Sequence, residues 1–230
     1  MKKIVVLTGA GISAESGIKT FRDDDGLWKS HRFEDLASPD AWSNNPELVL
    51  EFYNARRKQL LEVSPNAAHY ALVKLESKYN VEIVTQNVDD LHERAGSKNI
   101  LHLHGEIRKA RSTANPDLIY DIEGWELTIG DKCELGSRLR PHVVWFGEAV
   151  DNLYPAMEIV ASADMLVIIG TSLVVYPAAG LMQYAGANIP RYLIDPGEPR
   201  YHSTKNLTVI KDKAAKAVPE LVEKLLSEGF

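Results

Sequence analysis

The sequence is poor in cysteine, carries no excess of positive charge and lacks long apolar runs, and each of these would have pointed to a particular class of protein. A single cysteine, Cys133, among 230 residues excludes an internal disulfide, and a lone thiol fits a reducing compartment. The formal net charge of −6 argues against a broadly basic nucleic-acid-binding surface, although it is compatible with a local basic patch. No apolar run approaches the length of a membrane span. We therefore expect a cytoplasmic protein that binds neither nucleic acid nor membrane.

The start of the chain, "MKKIVVLTGAGIS", has some features of a signal peptide. The apolar run is short, however, and passes directly into a glycine turn without a cleavage-type site, so it predicts a buried strand. With 45% hydrophobic residues, the chain can form one large domain or a domain with a small module.

Short β-branched runs alternate with helical patterns along most of the chain. Nearly continuous apolar runs predict strands of a parallel sheet that is buried on both faces, at 3–9, 81–85, 163–170 and 190–195. Helical spacing predicts helices over 46–63, 66–78, 153–162, 177–186 and 214–228. Asn45 before Pro46 predicts an N-cap and first-turn pair, and so does Ser64 before Pro65. This order predicts a doubly wound α/β fold of the Rossmann type.

Residues 106–142 interrupt this alternation with short strand-like pieces rich in Asn, Pro and Gly and without a long helix. The prediction is a discontinuous Rossmann-like domain made of residues 1–29, 64–105 and 143–230. A helical excursion at 30–63 and an inserted module at 106–142 form the small domain.

The first predicted strand ends in a turn of small residues, "GAGISA". Gly9 and Gly11 allow backbone N–H groups to approach a pyrophosphate, and Ala14 can take the third small position. Glycine in a strand-to-helix turn also has a purely steric explanation. A standard dehydrogenase would continue with a second strand and an acid about 20 residues on. Because "SGIKTFRDDDGLW" indicates a loop instead, the turn predicts a dinucleotide site but weakens a hydride-transfer interpretation.

Four further segments lie beside predicted strands or flank the inserted module: "TQNVDDLH" (85–92), "LHLHGE" (101–106), "RPHVVWFGE" (140–148) and "GTSLVVYPAA" (170–179). Together with "GAGISAESGIKTFRD" they closely resemble, in order, motifs of the sirtuins, the NAD-dependent protein-lysine deacylases. The resemblance runs from residue 4 to the C-terminal helix and is weak only across 106–139. It implies transfer of an acyl group from lysine to ADP-ribose, with release of nicotinamide.

The resemblance assigns the catalytic roles to His104 and Asn87. In the family, a histidine takes a proton from a ribose hydroxyl after nicotinamide has left, and His104 matches that base. A neutral imidazole with a pKa near 6.5 suits this task at neutral pH. A core or surface position is the better interpretation for the histidines at 31, 69 and 202, and those at 92 and 142 receive no chemical role.

The resemblance also implies a set of cofactor contacts. Gln86, Asn87 and Asp89 would serve the nicotinamide and its ribose, with turn formation and helix capping as the alternative. Phe21 and Arg22 match a loop pair that covers the cofactor. The implied cofactor-binding residues are Gly9, Ala10, Gly11, Glu15, Phe21, Arg22, Gln86, Asn87, Asp89, Gly170, Thr171, Ser172, Asp195 and Ala214. Among these, Asp195 stands where an asparagine is usual in the family.

One predicted helix carries an arginine along its apolar side. At about 100° per residue, that side is formed by Val49, Phe52, Tyr53, Leu60 and Val63. Arg56 falls in its middle and Arg57 at its margin. The opposite, polar side is formed by Glu51, Asn54, Lys58 and Glu62. An arginine in such a place can reach an internal acid or extend its stem to water.

The resemblance offers a different role for this arginine. Tyr53 and Arg56 match the Tyr-x-x-Arg pair with which class III sirtuins recognise a terminal carboxylate, and Ala37 matches the small residue that widens the acyl pocket. The segments "VVWFGE" and "LVVY" match those between which the substrate peptide lies. The implied substrate-binding residues are Ala37, Tyr53, Arg56, Val144, Phe146, Gly147 and Val174.

Most sirtuins hold a structural zinc with four cysteines, whereas this chain has only Cys133 in the corresponding module, with Ser112 near one of the other positions. A tetrahedral zinc site needs four good ligands, so we expect no metal. A small apolar core would hold the module instead, formed by Leu118, Ile119, Tyr120, Ile122, Trp125, Leu127 and Ile129.

The sequence therefore predicts an NAD-dependent protein-lysine deacylase that prefers succinyl and malonyl groups and also accepts acetyl. Two alternatives remain: mono-ADP-ribosyl transfer, which uses the same activated ribose carbon, and a non-catalytic sensor of NAD or ADP-ribose. The Tyr53 and Arg56 pair favours deacylation because it has an acyl group to recognise. The presence of His104, Asn87 and Asp89 argues against the sensor.

Overall fold

The computed structural model describes residues 1–19, 36–173, 178–198 and 206–230. The strands are β1 (Lys3–Thr8), β2 (Asn80–Thr85), β3 (Ile100–His102), β4 (Gly105–Ser112), β5 (Ile119–Asp121), β6 (Leu139–Val143), β7 (Met165–Ile169), β8 (Arg191–Ile194) and β9 (Leu207–Ile210). The α-helices are α1 (Pro39–Asn44), α2 (Pro46–Glu62), α3 (Ala67–Leu75), α4 (Leu91–Ala95), α5 (Leu153–Ala161) and α6 (Ala214–Glu228). Short 3₁₀ helices span Ala10–Ile12, Ala14–Ser16 and Ala178–Tyr184.

Six strands form one parallel sheet in the order β3-β2-β1-β7-β8-β9. The chain builds outwards from β1 on one side and from β7 on the other. The topological switch point, where open α/β sheets bind ligands, therefore lies between β1 and β7. The predicted Rossmann-like, doubly wound fold is confirmed.

The apolar run of β1 is continuous because both faces of the sheet are covered. Ile4 and Val6 point to one face, where they belong to a cluster with side chains of α3 and α6. Val5 and Leu7 point to the other face, where the cluster includes residues of α5 and of the 3₁₀ helix at 178–184. All four side chains are buried. At about 1.5–3 kcal/mol for each buried apolar side chain, this packing is a large part of what holds the sheet together.

Several predicted element boundaries need correction. The segment predicted as a helix over 177–186 is, where described, the 3₁₀ helix Ala178–Tyr184. The predicted cap pair of Ser64 and Pro65 is wrong because α3 begins at Ala67 and is capped by Asn66, whose side chain accepts from the Ala68 N–H at 3.0 Å. The Asn45 cap of α2 is confirmed, since its Oδ1 accepts from the Leu48 N–H at 3.1 Å.

The interruption at 106–142 contains a second, antiparallel sheet with the order β5-β4-β6. A small apolar cluster joins it to α2 through Leu50, Ala110, Ile122 and Leu127. Of the predicted module core, Ile122 and Leu127 are buried, whereas Ile119 and Trp125 are exposed. The periodicity of a three-residue strand such as β5 is too short to show which side faces inwards. The proposed domain boundaries stay a prediction.

Within the described ranges, no helix combines the length and the apolar character that crossing a membrane requires.

Candidate active site

A cavity of about 920 Å³ lies at the carboxyl ends of the parallel strands, beside the switch point. The residues that closely follow β1, β2, β7 and β8 contribute to its wall, namely Gly9, Gln86, Gly170 and Asp195. Every predicted cofactor- and substrate-binding residue that the structure describes also lines this cavity, as does His104. The predicted contacts Phe21, Arg22 and Val174 lie outside the described residues. Residues that are far apart in the sequence are therefore brought to one site.

Two glycine turns touch each other at one end of the cavity. Gly11 donates its N–H to the carbonyl of Gly170 at 2.8 Å. A Cβ at position 11 would lie 2.6 Å from the Gly170 Cα, and Gly170 itself has a φ of +62°. Only glycine fits this approach. The result is a wall of bare backbone beside the buried carboxylate of Asp195. The backbone leaves room for a pyrophosphate, and the carboxylate is an acceptor for the hydroxyls of a ribose, so the residues present fit a dinucleotide.

Two acidic residues of the predicted cofactor set also hold the local backbone. Glu15 accepts from the Ala215 N–H at the start of α6 at 2.6 Å, which fastens the first turn to that helix. Asp195 accepts from the Gly197 N–H at 2.8 Å through one carboxylate oxygen. Each side chain therefore shapes the cavity wall that it lines.

Asn87 and Asp89 are joined by Ser13, a contact that sequence reasoning missed. The Asn87 amide donates to the Ser13 hydroxyl at 3.2 Å, which in turn donates to Asp89 at 3.0 Å. Burial raises the pKa of Asp89, whose other oxygen accepts from the Leu91 N–H at the start of α4. Asp89 thus makes the alternative helix-start contact while lining the cavity, and its role as a cofactor ligand stays a prediction. The serine lies inside "GAGISA", a motif that is explained by its small residues without any role for the serine hydroxyl.

The imidazole of His104 faces the cavity in a defined tautomer. Its Nδ1 lies 3.0 Å from the carbonyl oxygen of Gln86, which can only accept, so Nδ1 carries the proton. Nε2 is then left with a lone pair. Burial lowers the pKa of His104 below its ordinary value of 6.5, more than the hydrogen bond to Gln86 raises it. The ring is neutral at pH 7 and can accept a proton at Nε2.

A second histidine, His102, supports the same segment from outside the cavity. It lies 2.9 Å from the Asn87 carbonyl through Nδ1 and 2.7 Å from the Glu93 carboxylate through Nε2. Burial lowers the pKa of His102, but the hydrogen bonds to Glu93 and Asn87 outweigh it and raise the pKa above 6.5. Within the described ranges, Glu93, His102 and Glu106 are the one group with metal-ligand spacing. Because Lys109 binds Glu106 at 2.9 Å, this group is an ion-pair cluster.

The other end of the cavity is built from side chains of α2 and of the segment after β6. Tyr53 is 4% exposed, and its hydroxyl accepts from the Trp145 indole N–H at 3.0 Å. Burial raises the pKa of Tyr53 to about 12, so the hydroxyl is protonated at neutral pH. Arg56 is half-buried in the same wall, where burial lowers its pKa. Ala37 is buried beside them, and its carbonyl accepts from the Phe146 N–H at 3.0 Å.

The assignment of helix faces in α2 was partly wrong. Arg57, predicted at the margin, is completely buried at 0% exposure, and Asn54, predicted on the polar side, is half-buried. Arg57 donates to the carbonyls of Ile107 at 2.7 Å and Trp125 at 2.6 Å. It also donates to the Asn54 side chain at 2.7 Å, while Asn54 exchanges two hydrogen bonds with the backbone of Leu127.

The reason is that α2 has two buried faces. One lines the cavity through Tyr53 and Arg56, and the other is covered by β4 and by the segment after β5. A helical wheel that assumes one apolar stripe assigns the second face of α2 to solvent. The contacts of that face are polar, and they are made with a distant part of the chain.

The region where relatives would place zinc ligands contains a cluster of one thiol and two hydroxyls. Ser112 and Ser137 lie 2.8 Å apart through their hydroxyls, and the Cys133 sulfur lies 3.3 and 3.1 Å from them. Hydrogen bonding to the two serines lowers the pKa of the thiol to about 7. Four cysteine or histidine ligands are needed for a structural zinc, so this donor set does not fit one. The absence of zinc stays a prediction.

Fold and site together define a Rossmann-type protein with a nucleotide-sized cavity at the switch point, a neutral histidine within it and a cationic side chain in its far wall. The model of the Sir2 family matches residues 9–177. The chain belongs to the Sir2 family. A protein from Helicobacter pylori named "NAD-dependent protein deacylase" is 54% identical, with 98% of each chain covered. One of the same name from Bacteroides thetaiotaomicron is 51% identical over 98% of this chain and 99% of its own.

Solved structures of Sir2 homologues have the same fold. A Sir2 homologue in complex with NAD is 40% identical and superimposes with a TM-score of 0.91 over all of this chain and 91% of its own. A mutant homologue in complex with ADP-ribose is 42% identical, with a TM-score of 0.89 over all of this chain and 95% of its own.

Proposed function

We infer that this chain is an NAD-dependent protein deacylase, and we propose that it prefers succinyl- and malonyl-lysine while also accepting acetyl-lysine. The deacylase activity is supported by the names of relatives that are about half identical over nearly the whole chain. One observation carries the acyl preference: Tyr53 and Arg56 line the same cavity as His104 and the two glycine turns.

The cofactor would be held by the glycine-turn end of the cavity. The absence of side chains at Gly11 and Gly170 leaves room for a pyrophosphate, and the Asp195 carboxylate would accept a hydrogen bond from a ribose hydroxyl. Gln86, which donates to the Thr171 hydroxyl at 3.2 Å, joins this end to His104. When bound, NAD supplies an activated ribose carbon and the hydroxyl that receives the acyl group. Solved homologues with NAD and with ADP-ribose support this assignment.

His104 would act as the general base. Its neutral ring presents the Nε2 lone pair, while the Gln86 carbonyl fixes the ring through Nδ1. Asn87 would orient the reacting ribose with its amide, which Ser13 holds in place. Both roles are proposals that rest on the geometry around the cavity.

The acyl preference would come from a hydroxyl and a guanidinium that meet a carboxylate. A planar guanidinium can donate two parallel hydrogen bonds to a carboxylate, and Tyr53 can donate a third. A charge-assisted hydrogen bond contributes roughly 1.5–3 kcal/mol, which is about a 10- to 150-fold preference. Acetyl-lysine lacks the carboxylate but fits the same space, so it remains a slower substrate.

The substrate peptide would lie along the segment after β6. Val144, Phe146 and Gly147 line the cavity mouth, and Phe146 is 47% exposed. An extended peptide here would be bound mainly through its backbone, which favours a broad range of protein substrates. A Sir2 structure that contains a deacetylated p53 peptide and 3′-O-acetyl ADP-ribose is 31% identical and supports a peptide as the substrate.

Nicotinamide release with acetyl, malonyl and succinyl versions of one peptide tests the function. We expect release only when the peptide is acylated, with succinyl and malonyl faster than acetyl. Release without any acylated peptide, together with label transfer from NAD to protein, would instead indicate ADP-ribosyl transfer. Absence of release with all three peptides, despite NAD binding, would indicate a sensor.

We further propose that the protein works without zinc. The Ser112, Cys133 and Ser137 cluster would hold the module by hydrogen bonds instead. Elemental analysis should find well under one zinc per chain, and a strong chelator should leave deacylation unchanged. Stoichiometric, tightly bound zinc would contradict this.

A further inference from the structure

The indole of Trp145 lies between the acyl pocket and a buried ion pair. On one side its N–H donates to the Tyr53 hydroxyl at 3.0 Å. On the other, the Arg140 guanidinium lies over the ring, 3.3 Å from the centroid. Trp145 is 2% exposed and Tyr53 is 4% exposed, so neither group exchanges its partner for bulk water.

The direction of the hydrogen bond fixes what the tyrosine can do. An indole N–H only donates, so the Tyr53 oxygen is the acceptor. Among the described residues, this is the one hydrogen bond that the hydroxyl makes. The phenolic O–H lies near the ring plane and can point to either of two sides of the oxygen. The Trp145 indole N–H binds the oxygen lone pair on one of these sides. The proton is therefore left for an acceptor on the other side, and Tyr53 lines the cavity.

The indole is itself held from behind. Glu148 binds both terminal nitrogens of Arg140, at 2.6 and 3.0 Å, and accepts from the Trp145 backbone N–H at 2.8 Å. Arg111 adds a second cation at 3.3 Å from the same carboxylate. A cation stacked on an aromatic face in a desolvated place is a favourable contact. These contacts stabilise the ring in the position from which its N–H reaches Tyr53.

We propose that Trp145 is a positioning residue that sets selectivity for acidic acyl groups, by orienting the Tyr53 hydroxyl so that it donates to the substrate carboxylate. This inference rests on the proposed acyl preference and adds to it a residue outside the Tyr53 and Arg56 pair. Trp145 also lines the cavity, but the role proposed for it acts through its contact with Tyr53 and requires no contact with the substrate. Acetyl-lysine has no carboxylate, so its turnover does not depend on where the phenolic proton points.

The test is a double-mutant cycle with Trp145→Phe and Tyr53→Phe, measured with succinyl and acetyl versions of one peptide. Trp145→Phe keeps an aromatic ring under Arg140 but removes the N–H. We expect the succinyl-to-acetyl ratio of kcat/KM to fall about 3- to 10-fold, the range of one neutral hydrogen bond, with the loss mainly in the succinyl KM. In the Tyr53→Phe background, the same change should alter the ratio less than about twofold.

Trp42→Phe is the matched control. Trp42 packs against Trp145 with ring centroids 5.8 Å apart, so this change removes the same volume from the same cluster but keeps the indole N–H that Tyr53 accepts. It should leave the succinyl-to-acetyl ratio unchanged. Thermal melting checks each variant for folding. If Trp145→Phe does not fold, replacing Trp145 with benzothienylalanine, which exchanges only the N–H for sulfur, provides the same measurement.

Two results would overturn the inference. An equal loss with both acyl peptides would assign Trp145 a purely structural role. Additive effects in the double variant would show that the indole does not act through Tyr53. The wild-type protein is measured first, and the absence of any succinyl preference there would contradict the proposed acyl selectivity itself. That failure is therefore distinguished from a failure of the role proposed for Trp145, which is tested by the variants.

Discussion

The two buried faces of α2 carry adjacent arginines with opposite tasks. Arg56 lies with Tyr53 in the wall of the cavity. Arg57 points to the module, where backbone carbonyls of Ile107 and Trp125 and the side chain of Asn54 accept its hydrogen bonds. One guanidinium faces a space that a substrate can enter, and the other faces a fixed set of acceptors.

This difference shows that the partner, and not the residue type, decides the role of a buried cation. Burial lowers the pKa of both arginines, and that of Arg57 falls to about 10. At Arg57 three hydrogen bonds to permanent acceptors offset part of the cost of burial, whereas its second terminal nitrogen has no hydrogen-bond partner among the described residues. The contribution of these fixed hydrogen bonds is to stability. At Arg56 a substrate carboxylate would contribute to the same balance, so the contribution proposed for Arg56 is to selectivity.

The largest expected effect on activity comes from His104, which lies on neither face of α2. His104→Ala removes the proposed general base and should lower kcat/KM about 10²- to 10⁴-fold. The loss should be equal for succinyl and acetyl peptides, because the proton transfer follows acyl recognition. Steady-state kinetics with both peptides, together with an unchanged melting temperature, gives the baseline for the α2 variants. A loss confined to the succinyl peptide would assign His104 to the acyl pocket and would contradict the assignment of acyl recognition to α2.

The pH dependence should also be shared by both acyl groups. His104 acts when neutral, and burial places its pKa below 6.5. Activity should therefore be level above about pH 6.5 and decline as pH falls through that lower pKa, approaching tenfold per unit. Profiles of kcat/KM for acetyl and succinyl peptides should show the same acid limb. A limb centred above pH 6.5 would contradict the neutral, buried assignment of the ring.

Arg57→Met should have the smallest effect on catalysis and a clear one on stability. This change leaves the carbonyls of Ile107 and Trp125 without a donor. The free energy of unfolding should fall by about 1–3 kcal/mol, even though the variant no longer has to bury a charge. The melting temperature should fall by about 2–4 °C for each kcal/mol, with the succinyl-to-acetyl ratio unchanged. Arg56→Met, measured beside it, should not lower the melting temperature comparably. A changed acyl ratio in Arg57→Met would mean that the two faces are coupled.

The parallel sheet could be predicted because burial on both faces leaves a simple mark in the sequence. The run at 3–9 predicted β1 within one residue, and the turns after β1 and β7 pointed to the cavity. Two edge strands were missed for physical reasons: β3 has only three residues, and β9 is partly exposed on both sides. Neither carries enough apolar periodicity to be distinguished from a loop.

The polar contacts of the site could be predicted only in part. Motif matches placed His104, Asn87 and Tyr53 in one cavity. The hydroxyl of Ser13 and the indole of Trp145 were missed because their partners are more than 70 residues away in sequence. The Ser13 contact depends on the pairing of β1 with β2, and the Trp145 contact depends on how the segment after β6 packs against α2. No local sequence pattern reports either arrangement.

The most direct test of the acyl pocket compares kcat/KM for succinyl and acetyl peptides in the wild-type protein and in Arg56→Met. Methionine preserves much of the length of the side chain and removes its charge. The succinyl-to-acetyl ratio should fall by about 10- to 150-fold, with acetyl turnover reduced far less. A ratio that stays the same, with equal losses on both peptides, would contradict the proposed acyl pocket.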